Sequence, residues 1–215
     1  MTATHYFITG TDTDAGKTYV TCLLLEALRR SGRTAAGFKP FVCGGREDAL
    51  HLLDASSPGL SLDEVNPVWF KVPAAPFAAA LMENRPVELN PALAAFEELA
   101  GRFDHVLVEG AGGWEVPLNG FATMADLAQR LALPVLVVVN NKLGCLNHTL
   151  LTVRNIQARG MTCAGLILNH VHDERDPASI SNRMVLEKFL PDVPVLAEVM
   201  HGETEMEWPS VLNYL

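Results

Sequence analysis

Short continuous apolar runs alternate along this chain with longer stretches of helical periodicity. The runs are YFIT (6–9), TAAGFKPF (34–41), DHVLVEG (104–110), PVLVVVN (134–140), CAGLILNHV (163–171) and PVLAEVM (194–200). Each is four to nine residues, and most are rich in Val, Leu and Ile, the signature of strands buried on both faces. Between them lie helix candidates. KTYVTCLLLEALRRSG (17–32) has about four turns and ends on Gly32 with Arg29 and Arg30 in its last turn. EDALHLLDA (47–55), NPALAAFEELAGRF (90–103), TMADLAQRLAL (123–133), LNHTLLTVRNIQARG (146–160) and PASISNRMVLEKFLP (177–191) follow. In the third of these Asn90 reads as the N-cap and Pro91 as the first helical residue. Pro40 stops the second strand, and the Pro-containing stretch 57–76 reads as irregular. The alternation predicts an α/β fold with a mostly parallel sheet, helices on both faces and PVLVVVN near the centre. Ligands of such a sheet sit beyond the carboxyl ends of the strands.

Size and charge narrow the function. The 215 residues fit a single α/β domain spanning 1–215, and the 49% apolar content excludes a disordered chain. Twenty-five acidic against 16 basic residues give a net charge of −9, which argues against nucleic acid as the partner. No apolar run is long enough to span a membrane. Cys22, Cys43, Cys145 and Cys163 form no CxxC pair, so reduced thiols and a cytoplasmic location are expected.

The chemistry concentrates where the strands end. GTDTDAGKT (10–18) follows the first strand and opens the first helix, the context in which a loop cradles phosphate with its N–H groups and the helix dipole. Five residues separate Gly10 from Gly16 where the usual loop has four. Gly16 lets the backbone approach closely, Lys17 reaches the β and γ phosphates, and the Thr18 hydroxyl is placed for Mg²⁺. The alternative is a polar turn capping a helix. Lys39 ends the second strand before Pro40 and is expected either to point at those phosphates or to be solvated. Glu109 ends a buried strand, where a carboxylate needs a cation or hydrogen bonds. Asp48 is a second candidate Mg²⁺ ligand or an ordinary first-turn helix acid, with Glu47 and Asp54 nearby. EGAGGW (109–114) offers unobstructed N–H groups to a substrate, or is a tight turn. His170 and His172 read as a polar loop rather than a metal site, and the tryptophans as packing residues.

Taken together, GTDTDAGKT, GFKP, VLVEGAGGW and NKLGCLNH, in this order and spacing, resemble the dethiobiotin synthetases. The resemblance implies a P-loop NTPase-like fold and a homodimer that joins 7,8-diaminononanoate and CO₂ (or bicarbonate) with ATP and Mg²⁺. It implies Lys17 and Lys39 as catalytic cations, and Thr18, Asp48 and Glu109 around Mg²⁺. Asp14, Ala15, Gly16, Lys17, Thr18, Tyr19, Glu109 and Asn169 form the implied nucleotide site, with Asn169 at adenine. Thr13, Lys39, Cys43, Gly110, Ala111, Gly112 and Gly113 are implied around the diamine. Leu143, Gly144, Cys145, Leu146 and Asn147 would hold its distal carboxylate across the dimer interface. This chain departs from the pattern at Ala15 (usually Val), at Cys43 (commonly Ser), in a shorter 39–48 segment and in AEVMHG near the C-terminus. A partition-type nucleotide switch is disfavoured, because Thr11 stands where its loop carries Lys; an Arg-rich kinase lid has only the scattered Arg29, Arg30, Arg33 and Arg46 to draw on.

Overall fold

A computed structural model describes residues 4–174 and 177–209. Its main sheet has six strands: β1 (Tyr6–Gly10), β2 (Ala35–Phe38), β5 (His105–Gly113), β6 (Val135–Asn140), β7 (Cys163–Asn169) and β8 (Val195–Val199). Their order is β2-β5-β1-β6-β7-β8, and every pairing is parallel. β1 and β6 are therefore the inner pair, as the apolar content of PVLVVVN suggests.

Continuous apolar strands serve two cores at once. In β6, Val135, Val137 and Val139 face one core while Leu136 and Val138 face the other. The first core receives α5 (Asn90–Ala100), α6 (Met124–Leu131), α7 (Cys145–Ala158) and α8 (Ser179–Phe189), through residues such as Phe96, Leu127, Ile156 and Leu186. The second receives α1 (Lys17–Arg30) and α2 (Glu47–Ala55), through Leu24, Leu28 and Leu52. A helix layer on each side leaves only the strand ends open for a ligand.

Three local readings are corrected. TAAGFKPF is not one strand: β2 ends at Phe38, and beyond Pro40 the chain enters β3 (Phe41–Cys43), which leaves the main sheet. Stretch 57–76 is not irregular. It forms the short helix α3 (Leu62–Val65), closed by a capping box between Ser61 and Glu64, and β4 (Val68–Phe70), which pairs in parallel with β3. It also supplies Pro76, which opens α4 (Pro76–Met82). Buried Phe41 and Phe70, with Ala79 and Ala80 of α4, fasten this small sheet to the first core. Finally, Asn90 is the first helical residue of α5 rather than its cap, since the preceding Leu89 is already helical in φ and ψ and makes no side-chain cap bond.

Candidate active site

The loop after β1 accommodates its extra residue by a short 3-10 turn, Thr13–Ala15. The Asp12 carboxylate caps that turn by accepting from the Thr13 N–H at 2.8 Å. Gly16 then takes φ +82, and a Cβ there would lie 2.1 Å from the Asn169 amide nitrogen. Only glycine fits both the left-handed backbone and this close approach. From Gly16 the chain passes directly into α1. The Asn169 amide, at the end of β7, donates to the Ala15 carbonyl at 2.9 Å. The Asn169 Oδ1 is buried with no partner among the described residues. Lys17 is buried, and its ammonium donates to the carbonyls of Asp12 and Thr13 at 3.1 and 3.0 Å. Burial lowers its pKa to about 8, helped by the nearby Lys39 charge and opposed by Glu109, Asp48 and Asp12.

Glu109 is fully buried in β5, opposite Ile8. Its Oε1 accepts from the Thr18 hydroxyl at 2.7 Å and from the Lys39 ammonium, while its Oε2 has no partner among the described residues. Lys39 is also buried, and it donates to Asp48 Oδ2 at 3.0 Å. Burial alone would lower the Lys39 pKa; the Glu109 and Asp48 carboxylates outweigh it and raise the value. Asp48 is half-exposed in the first turn of α2. Burial pushes its carboxyl up, but Lys39 and a hydrogen bond from Thr18 bring it below the ordinary value. Lys39 is thus not a solvated lysine, and Asp48 is both a first-turn helix acid and a partner of that buried ammonium.

Three hard oxygen donors, from Thr18, Asp48 and Glu109, converge here around one ammonium. With Glu109 Oε2 unpartnered, the set fits a divalent cation that keeps water and phosphate as further ligands. Among the described residues no cluster of three or more His, Cys, Asp or Glu could hold a metal by itself. His170 is buried instead beside Asn141 and Glu198, and His172 is exposed.

A cavity of about 370 Å³ opens beside this cluster. Thr13, Lys39, Cys43, Asp48, Ala111 and Gly112 all line it. Its far wall, Pro73 to Pro76 with Val116, comes from the stretch read as irregular and from the turn after β5. Gly110 and Gly113 do not line it: Gly110 packs against Phe7 and Met124, and Gly113 lies beside Gly10 and Asp12. Cys43 is half-buried, and burial raises its thiol to about 11, aided by Glu83 and opposed by Arg85. Trp114 is a packing residue, edge-on to Phe7 with its N–H on the Asn155 side-chain oxygen at 2.8 Å. Cys145 borders a smaller recess of about 150 Å³ beside the phosphate loop, whereas Leu143 is 76% exposed and, with Gly144, Leu146 and Asn147, lines neither space. The Tyr19 hydroxyl donates to the Glu203 carbonyl, so the residue after the loop is tied to the C-terminal segment.

A parallel sheet with a glycine–lysine–threonine loop at the reversal of strand order, and a buried carboxylate beside it, defines a P-loop nucleotide hydrolase or ligase. A family model described as an AAA domain matches residues 4–204. Among relatives, the ATP-dependent dethiobiotin synthetase BioD of Akkermansia muciniphila is 44% identical over 211 residues, covering 98% of this chain and 99% of that protein. The enzyme of the same name from Aromatoleum aromaticum is 46% identical, covering 91% and 90%. The chain belongs to the dethiobiotin synthetase family. A ParA family ATPase from Chlorobium tepidum has a similar fold, with a TM-score of 0.58 at 13% identity, covering 99% of this chain and 92% of that one. That likeness concerns the fold alone.

Proposed function

We propose that this chain is an ATP-dependent dethiobiotin synthetase, closing a cyclic urea on 7,8-diaminononanoate with CO₂ at the expense of ATP. The observation that carries the reading is the Thr18–Glu109–Lys39–Asp48 cluster, with Glu109 and Lys39 buried, set between the phosphate loop and the 370 Å³ cavity.

One amine of the substrate takes up CO₂ as a carbamate. A carbamate oxygen attacks the γ-phosphorus, the bond to the ADP oxygen breaks, and a carbamic–phosphoric anhydride forms. The second amine then attacks the carbonyl carbon, loses a proton, and phosphate leaves with the carbon–oxygen bond electrons. The protein needs no nucleophile of its own. Its task is to neutralise charge spreading over the transferring phosphoryl oxygens. Lys17 and the N–H groups of Asp14, Ala15 and Gly16 act from the loop side, and Lys39 from the substrate side. Thr18, Asp48 and Glu109 would hold Mg²⁺, which supplies charge neutralisation at the phosphates. Thr13, Cys43, Ala111 and Gly112 shape the diamine site. Asn169, with an oxygen free to accept, suits the exocyclic amine of adenine.

We infer further that two copies act together, with Leu143 to Asn147 of one protomer meeting the carboxylate in the cavity of the other. The exposure of Leu143 and its absence from the lining of its own cavity support this. The 1–215 chain serves as one catalytic domain in the cytoplasm. Among the described residues no helix is long and apolar enough to cross a membrane. The test is ADP release assayed with diamine, bicarbonate, ATP or Mg²⁺ omitted in turn. Release that requires all four is expected; release indifferent to the diamine contradicts the proposal.

A further inference from the structure

Lys39 is the one catalytic cation that no helix carries. It lies between β2 and β3, at the point where the chain leaves one sheet for another. A four-carbon side chain on a linker is a poor way to hold an ammonium, unless its backbone is fixed by something else.

The fixing comes from residues 65 and 66. The Lys39 N–H donates to the Val65 carbonyl at 2.8 Å, and the Lys39 carbonyl accepts from the Asn66 side-chain amide at 2.8 Å. Both backbone groups of Lys39 are thus bound by one turn. Asn66 is only 1% exposed, and its side chain is fully used. Its Nδ2 also donates to the Val68 carbonyl at 3.1 Å, and its Oδ1 accepts from Arg46 Nε at 3.0 Å. Arg46 in turn donates from Nη2 to the carbonyls of Asn66 and Leu62, at 2.9 and 3.2 Å. Its guanidinium lies 5.6 Å from the Trp69 ring centroid.

Arg46 also caps the start of α2, two residues before Asp48, and its carbonyl accepts from Leu50. One guanidinium–carboxamide pair therefore locks the backbone of Lys39 against the helix that carries Asp48. These two side chains meet at 3.0 Å in the site. A neutral asparagine suits the place, because it must both donate to Lys39 and accept from Arg46; an aspartate could not donate.

We propose that Asn66 and Arg46 are positioning residues for Lys39, acting on the rate of phosphoryl transfer without touching substrate or nucleotide. The inference rests on the reading of Lys39 given above. A misplacement of the ammonium by a fraction of an ångström lowers the rate while leaving the phosphate loop, and so ATP binding, alone. A clamp that served only to fasten the small sheet would instead lower the fraction of folded protein and leave each folded site at full speed.

The experiment measures diamine-stimulated ADP release by Asn66→Ala and Arg46→Lys, with kcat expressed per nucleotide-binding site, alongside the unmodified protein. Asn66→Ala is expected to lose about tenfold to a hundredfold in kcat per site, with KM for ATP changed less than twofold. Arg46→Lys keeps the charge but not the fork, and is expected to lose about threefold to tenfold in the same manner. Asp63→Asn, which alters only an 88% exposed contact of Arg46, is expected to change kcat less than twofold. Unchanged kcat per site in either clamp variant, or an equal loss of ATP affinity, overturns the proposal. If Asn66→Ala does not fold, Arg46→Lys decides alone. An unmodified protein that shows no diamine-stimulated release refutes the reading of the enzyme rather than the role of the clamp.

Discussion

At the scale of single residues, Gly16 and Lys39 carry the sharpest expectations. Gly16→Ala forces a Cβ into the Asn169 amide and a left-handed backbone on alanine, so the loop must move. Nucleotide affinity is expected to fall at least about tenfold, the ~1.4 kcal/mol equivalent, by titration calorimetry; unchanged affinity would separate the loop from the nucleotide. Lys39→Ala is expected to abolish diamine-stimulated ADP release while nucleotide still binds, and near-normal turnover would remove Lys39 from the catalytic set. Cys43 offers a chemical probe of the cavity. Its folded pKa of about 11 means the thiolate grows as pH rises towards that value. Alkylation is therefore expected to be slow at pH 8 and to quicken about tenfold per pH unit below 11, with protection by diaminononanoate. Cys22 and Cys163, both pushed by burial to about 12, should react later. Modification of Cys43 that substrate does not slow would place the diamine elsewhere. Lys17, Thr18 and Asp48 were candidates in the sequence because they stand at helix starts, and Glu109 because it closes the apolar run HVLV, although β5 continues past it to Gly113 rather than ending there. Asn66 and Arg46 were not. Their roles depend on contacts 20 residues apart, and neither belongs to a recognisable phosphate motif.

At the scale of elements, the central strands and the helices α1, α2 and α5 to α8 followed from periodicity, since both signals are local. The β3–β4 sheet did not. Three-residue strands leave too little pattern to recognise, and Pro67 and Pro73 made the stretch look like loop. Tertiary pairing overrides that impression, because Phe41 and Phe70 are wholly buried. A second element-scale device holds the turn after β5. Arg159, at the end of α7, donates to Asp126 at 2.9 Å and to both Glu115 oxygens at 3.0 and 3.2 Å, while Asn155 receives the Trp114 N–H. Because these groups are partly exposed, Arg159→Ala is expected to cost only about 1 kcal/mol of stability. Looser support of Gly112 and Val116 should raise KM for the diamine severalfold and leave KM for ATP unchanged. An equal rise in both would show general destabilisation instead.

At the scale of the whole molecule, a doubly covered parallel sheet gathers the strand ends into one edge, and the family's chemistry needs just that edge. The irregular loop GTDTDAGKT accommodates its extra residue in a 3-10 turn capped by Asp12, with Gly16 leading straight into α1 at Lys17 and Thr18, and Thr13 lining the cavity. Residues 143–147 at the start of α7 do not line their own protomer's cavity, so a dimer is expected under assay conditions. Sedimentation equilibrium checks this, and a monomer with full activity would contradict the shared site. The central claim is tested most directly by following carbon and phosphate together, with ¹³C-bicarbonate, 7,8-diaminononanoate, ATP and Mg²⁺. One labelled cyclic urea, dethiobiotin, is expected for each ADP released. ADP release without labelled dethiobiotin would contradict it.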